Sequence, residues 1–130
     1  SEFCRDQGVT ESSFESLIEK SDIVTLHVPL TDLTRDMINE VIFRKMQANA
    51  YLINTSRGPV VNPSALHESL VSGGISGAAL DVFCSEPPDD MGFLQLPNLM
   101  VTPHIGGNSV EAVEAMGQAA IDNLAEFFEK

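Results

Sequence analysis

The chain has 130 residues, of which 43% are apolar and 20% are charged, which is enough for one domain with a buried core. Seven basic residues stand against nineteen acidic ones, giving a net charge of -12, and no basic cluster is longer than two residues. This balance argues against nucleic acids and anionic membranes as partners, because both attract basic surfaces.

Hydrophobic spacing and capping signals divide the chain into alternating helices and strands. Ser12 and Glu15 form a capping-box signature, and Pro29 ends a run rich in β-branched residues. The predicted elements are, in chain order, helix 13–20, strand 22–28, helix 36–46, strand 50–54, a helix capped by Asn62 and stopped by Gly73-Gly74, strand 77–83, strand 99–102, and a long helix capped by Asn108.

The strands are continuously apolar instead of alternating between apolar and polar residues. Such strands are typical of sheets that are covered on both faces. Strands and helices also alternate at about thirty residues per unit, which is typical of parallel sheets. The pattern therefore predicts an α/β fold with a parallel sheet whose two faces are both covered.

Polar side chains follow the predicted strands at the points where the strands end. Arg57 follows strand 50–54, Asp81 and then Glu86 follow the third strand, and His104 follows the fourth. In open parallel sheets, ligands bind outside the carboxyl ends of the strands. We therefore expect an arginine, two acids and an imidazole to meet at one edge of the sheet.

Each of these residues also has a purely structural interpretation. His104 could be an ordinary loop residue after a proline, Asp81 a turn cap, Glu86 a solvated carboxylate and Arg57 a surface ion-pair donor. What favours a functional site is that all four fall at the same sheet edge, which the structural interpretations do not require.

Such an edge could carry out a specific reaction. A carboxylate beside an imidazole favours the protonated imidazole, which is then a general acid. A nearby arginine can hold an anionic substrate with two parallel hydrogen bonds. Reduction of an α-keto acid needs both groups, together with a hydride that no side chain supplies and that therefore requires a cofactor.

Five motifs closely resemble the D-isomer-specific 2-hydroxyacid dehydrogenases, with phosphoglycerate dehydrogenase and glyoxylate or hydroxypyruvate reductase as the nearest branches. The resemblance runs from about residue 8 to the end of the chain, with the motifs in matching order and spacing. The motifs are HVPLT at 27–31, LINTSRGPVV at 52–61, GAALDVF at 77–83, SEPP at 85–88 and TPHIGG at 102–107.

The resemblance implies a role for each matching residue. Arg57 would bind and polarise the keto acid, His104 would donate and accept the proton, and Glu86 would pair with His104. Asp81 would hold the carboxamide of the nicotinamide of NAD or NADP, and between these two cofactors the sequence leaves the choice open. Further residues would line the cofactor cleft: Val28, Pro29, Thr55, Ser56, Ile105, Gly106 and Gly107.

The chain departs from the family mainly by what it lacks. It contains no Gly-x-Gly-x-x-Gly motif and no separate substrate domain. We therefore expect residues 1–130 to form an incomplete Rossmann-like fold, the C-terminal portion of an NAD(P)-binding domain. On its own this chain should bind NAD weakly or not at all and should turn over no substrate.

Two other kinds of protein share the fold of these dehydrogenases and are alternatives to an active 2-hydroxyacid dehydrogenase. The first is an NAD-sensing corepressor that binds without turnover, which the presence of Arg57, Glu86 and His104 disfavours. The second is formate dehydrogenase, which Glu86 disfavours because that branch carries a glutamine there. We expect no metal site.

In the strand order of the family, 3-2-1-4-5-6-7, strand 22–28 would pair with a strand that this chain lacks. Its edge would then be bare and apolar, so we expect that the chain self-associates through residues 22–28 or swaps elements between copies. Cys4 and Cys84 lie eighty positions apart and form no pattern typical of a disulfide framework, so we expect free thiols, as in a reducing compartment.

No apolar run approaches the roughly 18 residues that span a bilayer. We therefore expect a cytoplasmic protein.

Overall fold

The computed structural model describes residues 2–128, with side chains from residue 4 onwards. Helices and strands alternate along most of this length. The elements are α1 (Glu2–Asp6), α2 (Phe14–Lys20), β1 (Ile23–Leu26), α3 (Glu40–Phe43), β2 (Tyr51–Asn54), a 3-10 helix (Gly58–Val60), α4 (Pro63–Ser72), β3 (Gly77–Leu80), α5 (Met91–Leu94), β4 (Leu99–Val101) and α6 (Val110–Phe128).

The strands form one sheet in the order β1-β2-β3-β4, and every neighbouring pair is parallel. The predicted α/β class with a parallel sheet is therefore confirmed. Because all strands run in one direction, their carboxyl ends share one edge, and the loops that follow them leave the sheet on the same side. We call this edge the carboxyl rim, formed by residues 27–30, 55–58, 81–86 and 102–107.

One hydrophobic core lies against one face of the sheet. Inward-facing strand residues such as Val24 and Leu52 pack there with Ile18 of α2, Phe43 of α3 and Leu66 of α4. Since α2, α3 and α4 all contribute to the same cluster, these helices cover the same face. The core therefore supports the sheet from one side.

The opposite face is open in the described part of the chain, so the prediction that both faces are covered is wrong. Ile23, Tyr51 and Met100 are 59%, 51% and 67% exposed. The long helix α6 does not cover them, because none of its described residues is buried. The apolar stripe of α6 is exposed as well, and no helix within residues 2–128 has the length and hydropathy of a membrane span.

The predicted helix over residues 36–46 is wrong, because α3 is helical only from Glu40 to Phe43. Asp36 has a φ of 50°, which a helix does not allow, and Ile38 forms a parallel bridge with Val61. The Asp36 N–H donates to the carbonyl of Pro59, and its carboxylate accepts a hydrogen bond from Asn62. These tertiary contacts override the helical spacing of the local sequence.

Helix caps were predicted with mixed success. Asn62 caps α4 by accepting from the Ala65 N–H, and Gly73 ends that helix at a φ of 73°, both as predicted. Ser13, not Ser12, caps α2. The hydroxyl of Ser109, not the side chain of Asn108, accepts from the Ala112 N–H in the first turn of α6.

The strands are each one to three residues shorter than predicted, and α1, α5 and the 3-10 helix were not predicted.

Candidate active site

The turn after β2 is organised by the side chain of Asn54. This residue is only 1% exposed. Its Oδ1 accepts from the Ser56 N–H at 3.0 Å and from the Ser56 hydroxyl at 2.9 Å, and its Nδ2 donates to the carbonyl of Arg57 at 3.0 Å. The buried amide thus satisfies a turn whose backbone has left the sheet.

Arg57, the first candidate residue, lies on this turn with its side chain exposed. Its Nη1 donates to the carbonyl of Ser56 at 2.7 Å, so the guanidinium folds back over its own turn. Among the ion pairs recorded for the described residues, none involves Arg57. The remaining donors of its guanidinium therefore have no carboxylate partner among the described residues.

Gly58 joins the Arg57 turn to the loop that follows β3. A Cβ at residue 58 would lie 2.1 Å from the carbonyl carbon of Phe83 and 2.6 Å from the Cys84 nitrogen. Backbone atoms cannot yield to such an overlap as a flexible side chain could. Glycine is therefore required for the two loops to approach this closely.

Asp81 anchors the loop that carries His104. Its carboxylate, in a residue only 6% exposed, accepts from the Thr102 hydroxyl at 2.5 Å and from the N–H groups of Ile105 and Gly106 at 2.9 and 2.8 Å. The bond from Thr102 is the main reason that the pKa of Asp81 lies below its usual value; the two backbone bonds act in the same direction, and burial opposes them.

His104 and Glu86 meet directly at the rim. The Nδ1 of His104 lies 2.7 Å from Oε2 of Glu86, and the other carboxylate oxygen accepts from the Phe83 N–H at 3.0 Å. The hydrogen bond to His104 is the main cause that lowers the pKa of Glu86, and the one from Phe83 adds to it. His104 has a φ of 55°, so its loop holds it in a left-handed conformation. The pair predicted from sequence is thus brought together.

The predicted cofactor residues fall on the same rim. An open cleft of about 520 Å³ is lined by residues 27–30 and 55–57, and these include Val28, Pro29, Thr55 and Ser56. Gly106 and Gly107 lie exposed on the His104 loop, and a Cβ at Gly106 would lie 2.9 Å from Oδ2 of Asp81. The lining of this cleft mixes apolar side chains with hydroxyls and one guanidinium, which is typical of a small-molecule site.

Three residues important to this geometry were missed from the sequence: Asn54, Gly58 and Thr102. Asn54 gave a weak signal, as a polar residue at the end of an apolar strand. Gly58 and Thr102 gave none, since their partners Phe83 and Asp81 are more than twenty residues away in sequence.

The cysteines contribute no site. Cys84 is a free thiol and so does not pair with Cys4. Loss of hydration raises the pKa of the Cys84 thiol above its ordinary value. Within residues 2–128, no group of three or more His, Cys, Asp or Glu side chains is arranged to hold a metal ion.

Residues 1–106 match the family described as D-isomer specific 2-hydroxyacid dehydrogenase, NAD binding domain. A glyoxylate reductase of Thermofilum pendens is 48% identical over 87% of this chain and 34% of its own length. A glycerate dehydrogenase of Methylorubrum extorquens is 44% identical over 87% of this chain and 37% of its own. The chain thus spans little more than a third of these curated relatives.

Solved structures agree with these matches. A glyoxylate reductase from Paecilomyes thermophila superimposes with a TM-score of 0.88 at 34% identity, over 96% of this chain and 38% of that one. A D-lactate dehydrogenase from Aquifex aeolicus, complexed with NAD and lactic acid, gives a TM-score of 0.84 at 30% identity, over 99% and 44%. The fold is accordingly that of a Rossmann-like NAD-binding domain.

Substitution of Gly58 by alanine should disturb both loops of the site. The added Cβ overlaps the Phe83 backbone, so we expect a loss of unfolding free energy of about 1–3 kcal/mol and shifted amide resonances at Phe83 and Glu86. Urea unfolding and amide NMR spectra measure these effects. Gly107→Ala is the matched control, since nothing lies within 4 Å of its Cβ. Equal effects of the two substitutions would contradict the contact.

Substitution of Asp81 by asparagine should cost stability in a pH-dependent way. Because the folded-state pKa lies below the ordinary value of 3.8, the ionised form contributes stability that is present above that value and is lost as the pH falls through the folded-state pKa. The variant should lose about 1–3 kcal/mol at neutral pH.

Urea unfolding of parent and variant, repeated from neutral pH down to about pH 3, measures this difference. It should shrink on acidification, because the protonated carboxyl resembles an amide. The control is the exposed Asp89→Asn. A difference between Asp81→Asn and the parent that stays constant over this range would contradict the assignment.

Proposed function

Because the chain belongs to the D-isomer specific 2-hydroxyacid dehydrogenase family, we propose that it is part of an oxidoreductase that acts on 2-keto acids. The enzyme transfers a hydride between NAD(P)H and the keto acid, and the product is a D-2-hydroxy acid. The observation that carries the proposal is the contact of 2.7 Å between His104 Nδ1 and Glu86 Oε2. Such a pair is what a proton donor to a carbonyl oxygen requires.

His104 is the general acid of the proposed reaction. Glu86 accepts a hydrogen bond from Nδ1, which fixes the orientation of the ring and leaves Nε2 free to act on the substrate. The second Glu86 oxygen is held by the Phe83 N–H, so the carboxylate itself is oriented. Nε2 then remains to donate its proton to the oxygen of the keto group, and to take it back in the reverse direction.

Arg57 binds the substrate carboxylate. A guanidinium presents two parallel N–H groups that match the two oxygens of a carboxylate. The Arg57 side chain is exposed at the rim and has no recorded ion pair, and one Nη1 bond to Ser56 already orients it. We propose that a 2-keto acid held at this point turns its carbonyl toward His104.

The nicotinamide cofactor supplies the hydride when it is bound. We propose that it is NAD, with NADP as the alternative, and that the rim cleft takes part of it. The lining residues would be Val28, Pro29, Thr55, Ser56, Gly106 and Gly107. Asp81 has three of about four acceptor positions filled, so one is left for a carboxamide N–H.

We also propose that residues 1–130 supply the C-terminal part of the cofactor domain of this enzyme. Supporting this, the chain spans 34% to 37% of the two curated relatives described above and contains no Gly-x-Gly-x-x-Gly motif. A cytoplasmic location is proposed as well, supported by the unpaired Cys84 thiol, because disulfides are uncommon where thiols are kept reduced.

Three single substitutions in the complete enzyme test the proposed roles. His104→Gln should lower kcat by about 10²–10⁴, because it removes the proton donor. Arg57→Gln should raise KM for the keto acid by at least about tenfold, because it removes a charge-assisted bidentate contact. His67→Gln is the matched control, since this exposed histidine on α4 contacts only the ring of Phe93 among the recorded ring contacts.

Steady-state NADH oxidation with glyoxylate, hydroxypyruvate and pyruvate measures these effects. A His104→Gln variant with the turnover of the parent would overturn the proposal and favour a binding module of the same fold. The isolated 130-residue chain should show no turnover.

Self-association through residues 22–28 is the second part of the proposal. β1 is an edge strand, and the Asp22 carbonyl accepts from the Tyr51 N–H of β2. Since alternate residues of a parallel strand bond to opposite neighbours, the N–H groups of Ile23 and Thr25 point away from β2. An edge with unpaired backbone groups and an exposed isoleucine favours pairing with a second copy.

Light scattering of the isolated chain at tens of micromolar tests this pairing. The chain should be larger than a monomer, and Ile23→Lys should shift it toward the monomer, because a lysine on an edge strand opposes pairing. Met100→Lys, on the other edge strand, is the control and should leave the size unchanged. A monodisperse monomer of the parent chain would contradict the proposal.

A further inference from the structure

We propose that Asn54 is a positioning residue for Arg57, and that it sets the place and orientation of the guanidinium that receives the substrate. The inference rests on the proposed function, in which Arg57 binds a keto-acid carboxylate. It concerns a residue that touches neither substrate nor cofactor, because Asn54 is only 1% exposed.

The hydrogen bonds of the turn form a closed path from Asn54 to the guanidinium and back. The Ser56 N–H donates to Asn54 Oδ1, and the Ser56 carbonyl accepts from Nη1 of Arg57. The carbonyl of Arg57 then accepts from Asn54 Nδ2. One buried amide therefore bonds both Arg57, which carries the guanidinium, and Ser56, whose carbonyl accepts from that guanidinium.

The strand position and the hydrogen bonds of Asn54 keep its side-chain amide in place. Asn54 lies in register between Leu26 and Leu80, and its backbone carbonyl accepts from the Asp81 N–H. If its side chain turned away, the Ser56 N–H, the Ser56 hydroxyl and the Arg57 carbonyl would lose a partner, and a buried amide would be left unsatisfied. The β2 end of the Arg57 turn is therefore rigid.

Gly58 provides the other end of the turn. Its contact with the Phe83 backbone leaves no room for movement toward the β3 loop. Arg57 is thus held between a buried amide on one side and a close backbone contact on the other. An exposed arginine loses rotamer entropy when a ligand immobilises it, and restriction before binding reduces that loss.

Asn54→Ala removes all three hydrogen bonds, whereas Asn54→Ser keeps a side-chain oxygen that can accept from the Ser56 N–H. Leu70→Ala is the control for global instability, because Leu70 is a buried core residue on α4. In the complete enzyme, Asn54→Ala should raise KM for the keto acid by about tenfold, with KM for the cofactor changed by less than about twofold. Asn54→Ser should recover part of the loss, and Leu70→Ala should lower the melting temperature without changing KM.

A second measurement follows Arg57 directly. In the isolated chain, the Nε–H resonance of Arg57 should show restricted motion in relaxation measurements. Asn54→Ser and Asn54→Ala should increase that motion in this order, while Leu70→Ala should not. Unchanged Arg57 dynamics in either Asn54 variant would overturn the inference, and the serine variant keeps this test available if the alanine variant fails to fold.

The two proposals fail in different ways. If Arg57→Gln raises KM but Asn54→Ala does not, only the positioning role is wrong. If Arg57→Gln leaves KM unchanged, the substrate-binding role of Arg57 is wrong, and the dynamics of its side chain still decide whether Asn54 positions it.

Discussion

The site depends on hydrogen bonds that buried side chains make where parallel strands end. A backbone that leaves the sheet loses its ladder partners, and those groups need new ones. Asp81 meets this need for the N–H groups of residues 105 and 106, and Asn54 meets it for the N–H of residue 56 and the carbonyl of residue 57. The loops of Arg57 and His104 are therefore shaped by polar groups that belong to the core, and this is what lets exposed side chains keep a defined place.

Much of the fold could be predicted because its signals are local. The cap at Asn62, the glycine stop after α4 and the apolar strands are readable within a few residues. Helix 36–46 was wrong because Asp36 and Ile38 bond to residues 59–62, which no local pattern reports. The coverage of both sheet faces was wrong for a different reason. An apolar strand indicates that burial of both its faces would be favourable, but it does not indicate which element covers each face. Within residues 2–128, no helix covers the second face.

The strand topology alone made it possible to predict which residues of the candidate site lie at the same edge of the sheet. Parallel strands bring their carboxyl ends to one rim, so Arg57, Asp81, Glu86 and His104 had to fall on the same side. The contact between His104 and Glu86 follows from that rim and from complementary chemistry. What sequence could not supply is the close approach of Gly58 to Phe83, because nothing local distinguishes this glycine from one that only permits a turn.

The central claim is that Arg57, His104 and Glu86 act on one small anionic substrate. A crystal structure of the complete enzyme with NAD and oxamate, an unreactive analogue of a keto acid, tests it most directly. We predict that the oxamate carboxylate pairs with the Arg57 guanidinium and that its carbonyl oxygen accepts a hydrogen bond from Nε2 of His104, with Nδ1 still bonded to Glu86. Oxamate bound away from Arg57, or a His104 ring turned away from the ligand, would contradict the account.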